Sequence, residues 1–199
     1  MRILVILALV ARTAAAEPCD PEPLRAELAH EAARADRWNL GWGIAYSALA
    51  VGQLAAAASG QFSHDDTRGL WVGGGKSAIG AIARWASPLT IELPAPTGDR
   101  CADDRALRAL AERTAAHERQ AFWLGHLGGL AVHLIGSAIL VETASWKAAI
   151  TSFALGYPVG LLTTYTMPRA SWARVRAPGW TAAVTPTADG WSVVVSAAF

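Results

Sequence analysis

Apolar residues in this chain are gathered into long runs. Residues 40–58 (LGWGIAYSALAVGQLAAAA) and 124–141 (LGHLGGLAVHLIGSAILV) carry no formally charged side chain. Each approaches the ~18 residues at which a helix becomes a candidate to cross a bilayer. Residues 70–93 and 148–166 are also apolar, but Lys76, Arg84 and Pro88 interrupt the first and Pro158 the second. Those two would need neighbouring helices to satisfy them. All four runs hold several Gly, Ala or Ser residues, which let helix backbones approach closely in lipid. The pattern predicts an all-α fold, a four-span transmembrane helical bundle.

Ahead of the first and third runs, Leu24 and Leu28, then Leu107, Leu110 and Ala111, recur at helical spacing among charged residues. That spacing predicts two amphipathic surface helices, over 24–37 and 104–120. The order then repeats: a cysteine, a charged helix, Trp and Leu-Gly at 38–41 and again at 123–125, and a later Trp at 71 and 146. This suggests an internal duplication with repeats over 19–93 and 101–168, the halves related by an axis along the membrane normal. Residues 88–98, with Pro94 and Pro96, read as an extended linker between them.

Past Pro168 the alternation changes. WTAAVTP and WSVVVSAAF, joined at Asp189 and Gly190, predict a short C-terminal β-hairpin. The terminal Phe199 resembles the end of an outer-membrane barrel strand, but a barrel needs many such strands and the rest of the chain is helical in pattern.

Composition sharpens the membrane reading. Of 199 residues 53% are hydrophobic and 17% charged, against about 25% charged in a typical soluble domain. With 17 basic and 16 acidic residues, no charge excess points to nucleic acid. The N-terminus, MRILVILALVARTAAAEPCD, has a basic residue, a short apolar run and small residues to Ala16. It predicts a signal peptide over 1–16, leaving a helical membrane domain over 17–168 and a tail over 169–199. Two cysteines in an exported chain, Cys19 and Cys101, predict a disulfide, since no CxxC pair supports redox catalysis.

Four spans after a cleaved leader place the N-terminus, the central loop and the tail outside. The expected location is a bacterial inner membrane with these parts periplasmic, the alternative being the periplasm itself. Arg100, Arg105, Arg108, Arg113 and Arg119 oppose that orientation, because basic loop residues favour the cytoplasmic side.

Candidate chemistry is sparse. His126 and His133 lie seven residues apart in the third run, on nearly one helix face, and intramembrane histidines can ligate haem or another metal. The plainer reading gives His133 an interhelical hydrogen bond, with Gln53 or Ser137 as partner. Lys76 and Glu142 could pair across the bundle or snorkel to its edge. SHDDTRG, residues 63–69, reads as a solvated turn, because its adjacent acids match no metal-loop spacing. Trp38, Trp42, Trp71, Trp123 and Trp146 fall at span ends, where indole rings favour the headgroup region.

GGGKS at 73–77 has the lysine end of a P-loop, but Leu70 stands where the first Gly is required and no strand precedes it. Nucleotide binding is therefore not expected. The glycines read as a helix-packing face, Gly73 to Gly75 with Ala78. With no catalytic combination discernible, the chain reads as an exported integral membrane protein acting in interaction or assembly at the envelope. Its expected partners are the lipid bilayer, other envelope proteins or a second copy. Alternatives are a redox or haem-binding membrane protein using His126 and His133, a small transporter with Gln53, Lys76, His133 and Glu142 along a path, and a soluble exported helical protein.

Overall fold

The structure is a computed structural model that describes residues 19–176, 180–187 and 190–197, with side chains described through residue 175. The leader expected over 1–16 lies outside the described residues. Among the described residues five helices follow in order: α1 (Glu22–Ala58), α2 (His64–Ala86), α3 (Arg100–Thr143), α4 (Trp146–Tyr165) and α5 (Ala170–Arg176).

The expected surface helices do not exist as separate elements. At 37 and 44 residues, α1 and α3 each run unbroken from the charged segment into the apolar one. At 1.5 Å per residue they are about 55 and 66 Å long. Leu40-Gly41 had suggested a boundary, but one glycine costs a helix only about 1 kcal/mol, and Gly41 has open space around it. No proline stands between residues 24 and 58 to enforce a break.

The four-span bundle is likewise corrected. Among the described residues only α1 and α3 are long and apolar enough to cross a membrane. Lys76, with Arg68 and Arg84, dilutes α2, while Lys147, Pro158 and a run of Ser, Thr and Tyr dilute α4. In both candidate spans only 17% of the apolar window is buried. A core helix of a soluble protein would bury most of it. Leu40, Ile44 and Val51 of α1 and Leu127, Leu134 and Ile135 of α3 face outward instead.

Short oxygen-bearing side chains set the helix starts. Ser63 accepts a hydrogen bond from the Asp66 amide, Asp99 from the amides of Cys101 and Ala102, and Ser145 from the Ala148 amide. The segment read as a solvated turn is thus the first turn of α2, with Ser63 and Asp66 bonded reciprocally. Gly60, at φ 70°, takes the left-handed conformation that ends α1.

The best-buried core sits where the charged ends meet. Leu28 of α1 packs with Leu107 and Ala111 of α3, and Cys19 and Cys101 are disulfide-bonded there with Cα atoms 5.0 Å apart. A second cluster joins Ala35 and Trp38 of α1, Leu89, Ala115 and Phe122 of α3, Met167, and Trp172 of α5. The 88–98 linker is pinned here. Asn39 donates to the Leu89 carbonyl at 2.8 Å and accepts from its amide at 3.1 Å, and Arg25 donates to the Pro94 carbonyl.

Helix α5 docks on two fully buried carboxylates. Glu118 accepts from the Trp172 amide at 2.7 Å, and Glu31 accepts from the Ser171 hydroxyl at 2.7 Å. Beyond α5, β1 (Trp180–Thr187) and β2 (Gly190–Ala197) pair antiparallel, Trp180 opposite Ala197 and Thr187 opposite Gly190. Asp189 of the expected turn and the terminal Phe199 lie outside the described residues.

Candidate functional site

From the second core outward the chain forms two helical hairpins, α1 with α2 and α3 with α4. Small residues set how closely each pair packs. A Cβ at Gly73 would meet Gln53 Oε1 at 2.7 Å, one at Gly74 would meet Leu54 at 2.7 Å, and one at Gly80 would meet Tyr46 at 2.8 Å. Gly75 has nothing within 4 Å, so the packing face expected from GGGKS includes its first two glycines and not its third.

Between the hairpins lies a cleft of about 1410 Å³. It runs from Asp65 and Ser145, at the starts of α2 and α4, to Arg84, His117 and Met167 beside the second core. Its walls are largely apolar, with Leu49, Ile79, Leu124 and Leu155 among them. The hairpins touch across it through few polar contacts. Trp38 and Trp42 both donate their indole N–H to the Thr166 hydroxyl, at 3.3 and 3.1 Å, and Tyr46 shares a 2.9 Å bond with Thr163. At the far end the Ser145 hydroxyl donates to Asp65, which holds that carboxyl below its ordinary range.

Midway along the cleft, Lys76 reaches from α2 to the opposite hairpin. Its Nζ donates to the Ser152 hydroxyl at 2.7 Å, to the Ser152 carbonyl at 3.4 Å and to His133 Nδ1 at 3.4 Å. An ammonium has only donors, so Nδ1 accepts and the ring hydrogen resides on Nε2. Two glycines make the room. A Cβ at Gly136 would lie 2.9 Å from the Lys76 side chain, and one at Gly156 would lie 2.6 Å from His133 Cε1. The His133 ring also meets Phe153 and Tyr157 edge-on, at centroid distances of 6.2 and 5.8 Å.

The expected site residues thus separate into two groups. Gln53, Lys76 and His133, from three helices, all line the cleft, and Gln53 Oε1 is buried there without a hydrogen-bond partner among the described residues. Glu142 is exposed and does not line it, so the Lys76–Glu142 pairing is replaced by Lys76–Ser152. Neither Gln53 nor Ser137 bonds His133; Ser137 donates to the Ala149 carbonyl.

His126 stands apart from His133. Its ring stacks on Phe122 at 6.1 Å and meets Tyr165 edge-on, outside the cleft lining. Among the described residues no three His, Cys, Asp or Glu side chains come together as metal ligands. Of the tryptophans, Trp71, Trp123 and Trp146 are exposed, but Trp38 is buried with the Arg84 guanidinium 4.7 Å over its ring.

Ser152 and the buried pair Glu31 and Glu118 escaped sequence reasoning. Ser152 is one of many small polar residues in an apolar run, with no spacing that singles it out. The two glutamates sit on helices of mixed charge, where a solvated face is the ordinary inference. Comparison with known protein families, with curated proteins and with solved structures gives no match to this chain.

Proposed function

We propose that the protein is a non-enzymatic membrane component of the bacterial envelope that takes a small ligand into the cleft between its hairpins, in the manner of a small transporter. The observation that carries this reading is the convergence of Gln53, Lys76 and His133 on one apolar-walled cavity. Polar groups at such depth cost free energy unless they serve a ligand or a partner. A few convergent polar groups in a large apolar pocket are what ligand sites have in common. The outward apolar faces of α1 and α3 support membrane embedding. The Cys19–Cys101 bond supports an oxidising compartment at the opposite end of those helices.

Two measurements test this reading. Alkaline washing of fractionated membranes should leave the protein in the pellet, and release into the supernatant would remove the membrane assignment. Native mass spectrometry of protein extracted in mild detergent should retain a bound small molecule that is lost on filling the cleft with Gly129→Leu, at a lining glycine with open space around it. A ligand-free spectrum for both proteins would overturn the binding role.

A further inference from the structure

Resting on that reading, we infer that the cleft selects an anionic single-chain amphiphile, one alkyl chain ending in a carboxylate or phosphate, with Lys76 and His133 holding its head. The first ground is charge. Lys76 and Arg84 both line the cleft, and among the described residues no carboxylate lies within 4.0 Å of either. The Lys76 ammonium is held by neutral acceptors alone, and Arg84 by the Trp38 ring. The acidic residues that reach the cleft, Asp65 and Asp66, stand at one mouth, where Ser145 and Ser63 bond them. An uncompensated cation in an apolar wall favours a counter-ion, and the ligand supplies it.

The second ground is hydrogen bonding. With Nδ1 accepting from Lys76, the Nε2–H of His133 has no hydrogen-bond partner among the described residues, and Nε2 lies near Gly160, whose added Cβ would be 3.7 Å from it. That N–H is a second donor lining the same cleft, on the ring edge away from the ammonium, and adds to the attraction that the Lys76 charge holds for an oxyanion.

The third ground is size and lining. The cleft, about 1410 Å³, exceeds the roughly 300–1,000 Å³ of pockets that bury compact small molecules. Leu49, Ile79, Leu124 and Leu155 provide length for a chain.

The test uses the full chain in a nonionic detergent and four hexadecyl probes: hexadecanoate, hexadecyl phosphate, hexadecanol and hexadecyltrimethylammonium. Both anions should bind at least about tenfold more tightly than the alcohol, and the cation should not compete. Lys76→Met should remove that preference, bringing the anions to within about twofold of hexadecanol measured on the same variant, while Lys76→Arg should keep most of it. Equal binding of alcohol and anions, or an unchanged preference in Lys76→Met, would overturn charge selection and leave cleft binding standing. No binding of any probe would sink both.

Should Lys76→Met fail to fold, wild-type protein and hexadecanoate carrying a mid-chain diazirine decide the matter. Label on peptides containing Leu49, Ile79 or Leu155, displaced by hexadecyl phosphate, supports the site; label confined to the outer faces refutes it. Competition by vesicle-borne phosphatidic acid against free hexadecanoate separates a membrane lipid from a soluble acid as the source.

Discussion

The ring of His133 lies over Gly156 so closely that a methyl group at 156 would come within 2.6 Å of Cε1 and 3.0 Å of Nδ1. Neither atom belongs to a flexible chain end, because the ring is also flanked by Phe153 and Tyr157. Gly156→Ala should therefore force a shift of α4 against α3 and cost about 1–3 kcal/mol, as overpacking does. Gly75→Ala is the matched control. It is exposed with nothing within 4 Å, so it should be neutral or stabilise α2 by up to about 1 kcal/mol. Thermal unfolding in detergent separates the two, and equal midpoints would contradict the packing described.

Asn39 holds Leu89 as a second backbone would, giving one hydrogen bond and taking one. Replacing it with leucine leaves a buried amide and a buried carbonyl unpaired, at about 1–3 kcal/mol for each group. Limited proteolysis should then cut within 88–98 at protease levels that leave the parent chain whole.

Glu118 lends the docking of α5 a pH dependence. Burial, with repulsion from Glu31 added, raises its carboxyl from 4.5 to about 7, against the Trp172 and Ser171 amides and Arg174, which pull it down. Arg174 is itself paired with Glu27. A carboxyl raised on folding binds its proton more tightly in the native state. The stability this contributes is complete below about 4.5 and is lost as pH rises through about 7. The thermal midpoint should fall by on the order of a few degrees between about pH 5 and about pH 8. In Glu118→Gln the slope over that interval should flatten, and an unchanged slope would assign it to another group.

Reducing the Cys19–Cys101 bond opens a loop with a sequence separation of 82. The chain-entropy model puts the loss at about 4 kcal/mol. Cys101→Ser should lower the unfolding free energy by that order and abolish the mobility difference between reduced and unreduced samples on a denaturing gel.

What the sequence made legible was whatever a local pattern carries. The apolar halves of α1 and α3 are unbroken by charge, and the chain's two cysteines point to each other. Helix rotation and distant partners were not legible. Lys76 seemed to want a carboxylate and found Ser152, because which face α2 turns to α4 depends on Gly136 and Gly156 making room there. Glu31 and Glu118 read as solvent-facing until residues 140 and 54 positions away close over them. Ser63, three residues before Asp66, has the spacing of a helix start, yet the consecutive polar residues after it read as a solvated turn.

The continuity of α1 and α3 gives the molecule the mechanics of a pair of callipers. Both arms pass unbroken from the stapled end to the cleft, and at 1.5 Å per residue His133 stands about 48 Å along its arm from Cys101. A change of one degree in the angle between the arms moves the wall carrying His133 by about 0.8 Å, enough to make or break a hydrogen bond. The width of the cleft is therefore set in part by packing at Leu28 and Leu107, far from any ligand it would hold.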